Sequence, residues 1–145
     1  MEFNLQTAQT FAENGRSEEW IYAYLAEGSW ANPGLFNGLK LQKRYWRGPL
    51  QLSLDDLVRT CGPEPEMPYR VSQYDWDERT GDIADALESL EDLPPFIVQY
   101  VAGDLILCDG NHRYGALRKM GWTDCWAFIW YDSQQELAEH LDQQS

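Results

Sequence analysis

The sequence predicts an α/β (α+β) fold with an added helical element at its N-terminus, on three observations. Two β-rich runs, 96–101 and 105–108, are joined by Ala102-Gly103-Asp104, a three-residue connection containing glycine that reads as a hairpin. A strand–turn–helix junction follows, in which Asp109-Gly110 turns the chain and residues 111–120 read as a helix stopped by Gly121. Residues 5–26 favour helix, with Ser17, Glu18 and Glu19 capping a segment whose Trp20, Ile21, Tyr24 and Leu25 recur at helical spacing.

The remaining elements follow in order. Asn32-Pro33-Gly34 breaks the first helical region, and residues 35–45 read as a second short helix that becomes basic at its end. Gly48-Pro49 punctuates, residues 50–54 alternate briefly, and Ser53-Leu54-Asp55-Asp56 caps a short helix through Val58. A Pro-rich loop spans 61–68. The acidic stretch 69–93 carries Ile83, Ala86, Leu87 and Leu90 at helical spacing, one solvated helix with a single buried stripe ended by Pro94-Pro95. Residues 126–131 are a further strand, with Trp126, Phe128 and Trp130 on one face, and Ser133 to Glu136 is a capping box for a last helix ending near Asp142. The organisation expected is a helical element over 1–47 packed on a domain over 48–145, one compact domain overall.

Charge excludes several functions. At 145 residues the chain has the length of one ordinary domain, and its 24 acidic against 11 basic residues give a formal net charge of −13. Such a field repels duplex nucleic acid and anionic membrane. An aromatic content of 14% separates it from the aromatic-poor composition of a disordered acidic chain. Cys61, Cys108 and Cys125 are odd in number and form no CxxC pair, which suggests neither a disulfide framework nor a zinc site. With no basic leader followed by an apolar stretch and no apolar run long enough to span a bilayer, the expectation is a cytoplasmic protein without membrane contact.

The junction Asp109-Gly110-Asn111-His112-Arg113 carries the chemistry. A glycine allows close approach of the backbone, the first amides of a helix point outward unpaired, and His and Arg on the opening turn add donors and positive charge, a combination suited to phosphate. Asp109 would hold a divalent cation such as Mg²⁺ between phosphates, or accept a proton. The same residues also read as a plain turn, with Asn111 as a helix cap and His112 and Arg113 on the surface.

These residues resemble the ParB/sulfiredoxin superfamily. Pro94-Pro95-Phe96-Ile97-Val98, the hairpin, and Asp109-Gly110-Asn111-His112-Arg113-Tyr114 followed by Ala116-Leu117 look like its phosphate-binding box at a helix start, with a match running over 48–131. The resemblance implies a nucleotide such as ATP, ADP or CTP, Mg²⁺, and phosphate contacts from Gly110, Asn111, His112 and Arg113. Sulfiredoxin has its catalytic cysteine within the box, where Asn111 stands here, and partition proteins need a basic helix-turn-helix that the acidic residues after Met120 do not supply. The kinase-like members are closer: they have an acidic residue before the glycine and a His-Arg pair after it, and they use a loop glutamate, a place for Glu64 or Glu66 as base. Either glutamate also reads as a solvated loop charge.

The segment Gly38-Leu39-Lys40-Leu41-Gln42-Lys43-Arg44-Tyr45-Trp46-Arg47-Gly48-Pro49 resembles one that precedes the first strand in uncharacterised bacterial proteins carrying a ParB-like domain. On a helix, Lys40, Lys43, Arg44 and Arg47 would share one face, either to meet an anion or to neutralise the acidic middle. Tyr45 and Trp46 would stack on a base or join the core. The sequence therefore points to a protein that binds a nucleotide or phosphorylated small molecule at 109–113, as a small-molecule phosphotransferase or nucleotide hydrolase. The alternatives are a non-catalytic ligand-binding or protein-interaction module on the same fold and, third, a ParB-like nuclease.

Overall fold

The structure is a computed structural model that describes residues 1–27 and 29–144. The N-terminal helical region divides in two. α1 (Leu5–Glu13) starts at a capping box in which the Asn4 side chain accepts from the Thr7 amide, and it ends before Gly15, whose φ of +70° turns the chain. α2 (Ser17–Glu27) carries Glu18 and Glu19 on its first turn and buries Trp20, Ile21, Tyr24 and Leu25, the stripe legible in the sequence.

α3 (Pro33–Leu39) is shorter than its composition suggests, because the chain folds back on it. The Arg44 guanidinium donates to the Gly38 carbonyl at 2.9 Å and to the Leu39 carbonyl at 3.2 Å, closing the helix end. Tyr45, expected to end the second helix, instead opens strand β1 (Tyr45–Ser53) with Trp46, paired with Tyr131 and Trp130, and the β preference of two adjacent aromatics is met there. A 3-10 turn (Leu54–Asp56) stands where a short helix was expected, and Leu57–Val58 is strand β2. Cys61–Gly62 (β3) and Tyr69–Arg70 (β4) form a separate two-stranded parallel ladder inside the Pro-rich region.

The acidic stretch contains α4 (Gln73–Ala86), capped by Ser72. The hairpin is β5 (Phe96–Val101) and β6 (Asp104–Asp109), and it leads directly into α5 (Asn111–Lys119). β7 (Asp124–Tyr131) and α6 (Gln134–Gln143) complete the chain. The strands form one mixed sheet in the order β1-β7-β5-β6-β2, in which β5 runs parallel to β7 and β2 parallel to β6, the other pairs being antiparallel. Six α-helices among the described residues and a mixed sheet make this an α/β fold.

Period-two alternation decides what each face of the sheet buries. Phe96, Val98 and Tyr100 of β5 join Cys125, Ala127, Ile129 and Tyr131 of β7 in a core with Leu117 of α5. Ile97, Phe128 and Trp130 point the other way and pack against Trp20, Ile21, Tyr24 and Leu25 of α2. The N-terminal helices thus cover one face and the later helices the other. No helix among the described residues is long and apolar enough to cross a membrane.

Candidate functional site

The end of β6 is where the two helical layers meet. Asp109 is its last residue, and Gly110 follows with φ +117°, a conformation that side chains rarely adopt. Space adds a second constraint, since a Cβ on Gly110 would sit 2.6 Å from the Phe96 ring. α5 then begins with no side-chain cap, its first intrahelical bond running from the Tyr114 amide to the Gly110 carbonyl at 2.8 Å. The amides of Asn111, His112 and Arg113 are left to the cleft that these residues line.

That cleft encloses about 350 Å³. Its lining draws on Trp30 and Asn32 from the N-terminal region, Thr60, Cys61 and Tyr69 from the segment 60–69, and the exposed Arg79 of α4. Asp109, Gly110, Asn111, His112 and Arg113 all line it, so the structure brings the five junction residues together. Their side chains, however, are not all available to a ligand.

Asp109 and Arg113 are 8% and 2% exposed and form an ion pair of 2.8 Å. The Tyr24 hydroxyl donates to Asp109 Oδ2 at 2.7 Å and accepts from Arg113 Nη2 at 2.7 Å, Asn32 Nδ2 donates to Asp109 Oδ1 at 3.1 Å, and Arg113 Nη1 donates to the Pro94 carbonyl at 2.6 Å. Rings of Trp30 and Phe96 lie 5.0 and 5.2 Å from the guanidinium carbon. Burial holds the Tyr24 phenol well above its ordinary pKa, so it stays protonated and keeps donating. Arg113, expected on phosphate, is a buried strut. Asp109, expected to hold Mg²⁺, is among the described residues the one carboxylate lining the cleft and already takes three donors, one of them a guanidinium. This donor set does not fit a divalent cation, and among the described residues no group of three or more His, Cys, Asp or Glu is placed to hold one.

Asn111 is similarly committed. Its Oδ1 accepts from the Thr60 and Cys61 amides at 2.9 and 3.1 Å, and its Nδ2 donates to Thr60 Oγ1 at 3.1 Å and the Leu107 carbonyl at 3.2 Å. Both donors and both acceptor positions of the amide are used, which clamps the 60–61 segment against the start of α5. Only its backbone amide remains for a ligand.

His112 is different. Its ring rests on Trp76 at 5.0 Å, is half-buried, and has no hydrogen bond among the described residues. Burial, then the charges of Arg79 and Arg113, push its pKa below the ordinary histidine value and keep it neutral at pH 7. Burial likewise raises the thiol of Cys61 and pushes that of Cys108 up to about 11, so neither is activated as a thiolate nucleophile.

The sequence pointed to other cations and carboxylates, and none of these lines the cleft. Lys40 lies over the Phe36 ring at 4.2 Å and Lys43 over the Tyr45 ring at 5.2 Å. Arg44 caps α3, pairs with Asp132 and stacks on Trp130. Arg47 donates to Gln144 Oε1 at 2.9 Å. The shared helical face expected of these four does not exist, because the helix ends at Leu39 and Arg47 belongs to a strand. Trp46 donates to Glu18 at 2.9 Å rather than facing a base. Glu64 pairs with Arg59 at 2.5 Å, which holds its carboxyl below the usual range, and Glu66 is exposed on its loop.

Arg79 was not singled out by the sequence. It lies inside an acidic helix and is exposed, and it lines the cleft with no hydrogen-bond, ion-pair or ring partner among the described residues. The signal available was weak: Trp76, Thr80 and Arg79 share the stretch of α4 that packs on α5, where Gly115 leaves room for Trp76 and Thr80.

No protein-family model matches the chain, and no curated protein matches it. Its structure is similar to a crystal structure of sulfiredoxin from Arabidopsis thaliana, with a TM-score of 0.44 and 23% sequence identity, over 64% of this chain and 98% of that one.

Proposed function

We propose that the protein binds the phosphate of a nucleotide or another phosphorylated small molecule at the start of α5, on a ParB/sulfiredoxin-like core. One observation carries this reading: the uncapped first turn of a nine-residue helix opens on a cleft that also holds the partnerless cation Arg79. Unpaired amides, the positive end of the helix dipole and a guanidinium together suit an anion of phosphate geometry.

The residues divide into ligand-facing and supporting groups. The backbone of Asn111, His112 and Arg113, the His112 ring and Arg79 meet the ligand, while Asp109, Arg113 and Asn111 hold them in place through their side chains. Of the carboxylates expected to work as metal ligand and base, Asp109 and Glu64 are spent on Arg113 and Arg59, and Glu66 is exposed on its loop and does not line the cleft. That favours the non-catalytic binding module over phosphotransferase, nucleotide hydrolase or nuclease.

Thermal unfolding against inorganic phosphate, phosphomonoesters and the nucleotides ATP, ADP, CTP and GTP tests the reading. A ligand present at 100 times its Kd stabilises the native state by about 2.7 kcal/mol. His112→Glu places a carboxylate in the same turn and should abolish the shift. Absence of any shift across the panel, or a shift that survives His112→Glu, refutes the site.

A further inference from the structure

We infer that α6 is a pH-sensitive latch: protonation of His140 lets this helix swing off the sheet while the rest of the fold persists. The inference is independent of the phosphate-binding reading. His140 is the one residue of α6 that is buried, at 6% exposure; Glu136 and Leu137 are half-buried and the rest of the helix is exposed. The helix is therefore attached through a titratable side chain and one leucine rather than a continuous apolar stripe.

Strands β5, β7 and β1 each bring a group to the ring. Tyr100 of β5 stacks on it with centroids 4.7 Å apart, the Tyr131 hydroxyl of β7 lies 2.6 Å from Nδ1, and Arg47 Nη1 of β1 lies 3.5 Å from the same nitrogen. A guanidinium can only donate, so the Nδ1 that faces it is an acceptor and takes the Tyr131 hydroxyl proton in a hydrogen bond. A proton on Nδ1 abolishes that acceptor and sets an imidazolium beside the Arg47 cation. On α6 itself, Glu136 lies one turn back and the helix C-terminus is close, and both favour a charged ring; Glu139 and Asp142 lie off that face. Burial and then the Arg47 charge outweigh them and hold the histidine below its ordinary pKa.

Other contacts decide how the helix would open. The Tyr100 hydroxyl is buried with no hydrogen-bond partner among the described residues, and lifting the ring stacked on Tyr100 gives that hydroxyl to water. Arg47 donates to Gln144 Oε1 at 2.9 Å, a contact that leaves with the helix. The start of α6, by contrast, is pinned, because Asp132 accepts from Arg44 and Gln42 and Ser133 caps the first turn. Opening therefore pivots at 132–133 and uncovers Tyr100, Tyr131 and Arg47 as one strip of the sheet.

Hydrogen exchange of the full chain, read by peptide mass spectrometry from about pH 8 to about pH 5 and corrected for the pH dependence of intrinsic exchange, tests the latch. Below the ordinary histidine value of about 6.5, protection of the α6 amides should fall with a slope approaching about tenfold per pH unit, that of one proton, while β5 and β7 keep theirs. Return to about pH 8 should restore it. His140→Gln and His140→Phe, the second of which keeps an aromatic ring on Tyr100, should each remove the pH dependence at α6. A variant whose α6 stays unprotected across the range also supports the latch, since the helix then depends on that side chain alone. Unchanged α6 protection in the unaltered protein, a loss shared equally by β5 and β7, or the same pH dependence in both variants overturns the inference.

Discussion

The hydroxyl of Tyr24 lies 2.7 Å from the carboxylate of Asp109, although 85 residues separate them in the chain. Through this contact the helical layer on one face of the sheet grips the turn that starts α5 on the other. Arg113 completes the triangle, donating to both. The three side chains are buried, so the geometry of the α5 N-terminus depends on a residue of the N-terminal helices.

Removing one corner of this triangle should be costly. Arg113→Ala leaves the Asp109 charge buried without its counter-ion and the Pro94 carbonyl without its donor, a loss of about 3–5 kcal/mol. Tyr24→Phe deletes only a hydroxyl and should cost about 1–3 kcal/mol. Replacing the pair together, Asp109→Leu with Arg113→Met, should cost less than Arg113→Ala, since no unpaired charge remains. Urea denaturation measures all three. An Arg113→Ala protein as stable as the original shows the pair not to be structural.

The turn itself is fixed by space as much as by backbone. Gly110→Ala puts a methyl group 2.6 Å from Phe96 at a φ of +117°, and should destabilise by about 1–3 kcal/mol for the backbone with a further loss from the clash. Gly115→Ala is the test for the α4–α5 contact. Its Cβ would meet Trp76 at 2.6 Å and Thr80 at 2.7 Å in an ordinary helical conformation, so overpacking alone, about 1–3 kcal/mol, should appear. A neutral or stabilising Gly115→Ala, by thermal unfolding, contradicts that packing.

His140 should make stability depend on pH. It is buried on α6, stacked on Tyr100 with ring centroids 4.7 Å apart, and its Nδ1 lies 2.6 Å from the Tyr131 hydroxyl and 3.5 Å from Arg47 Nη1. Burial, then the Arg47 charge, lowers its pKa, so the fold prefers the neutral ring. The corresponding stability is present above the unfolded histidine value of about 6.5 and is lost as pH falls through the lower folded pKa. The difference in unfolding free energy between the protein and His140→Gln, measured from pH 8 to 5 (about the histidine range), should shrink toward acid. A constant difference removes His140 as the source.

The thiols should report burial. Burial pushes Cys108 and Cys125 up to about 11 and about 12 respectively, and Cys61 is raised less strongly in its half-exposed place on the cleft. With iodoacetamide at pH 8 (about the unperturbed thiol range), Cys61 should be modified first in the native protein, and Cys108 and Cys125 only on unfolding. If the proposed phosphorylated ligand binds at the start of α5, it should slow the reaction at Cys61, and mass spectrometry of the digested protein distinguishes the three sites.

Local signals were enough to locate some elements. The hairpin at 96–109, the turn at Asp109-Gly110 and the helix that follows are written in short-range patterns of β-branched residues, glycine and helix formers. The stripe on α2 and the capping serine at 133 are equally local. Their existence was legible because each is specified by residues within one or two turns of each other.

Side-chain assignments at the site were a different matter. Arg113 and Arg79 look alike in sequence, one in a motif and one in an acidic helix, yet the first is buried against Tyr24 and Asp109 while the second lines the cleft unpaired. Arg44 and Arg47 stand in a basic run that reads as an anion site, and became a helix cap and a strand anchor because Tyr45 and Trp46 pair with β7. Local sequence pattern determined that this acidic chain has an α/β fold with a glycine turn opening a helix at 109–111. Which cations remain free to act there was decided only by tertiary structure, because a guanidinium's availability depends on acceptors brought to it from distant parts of the chain.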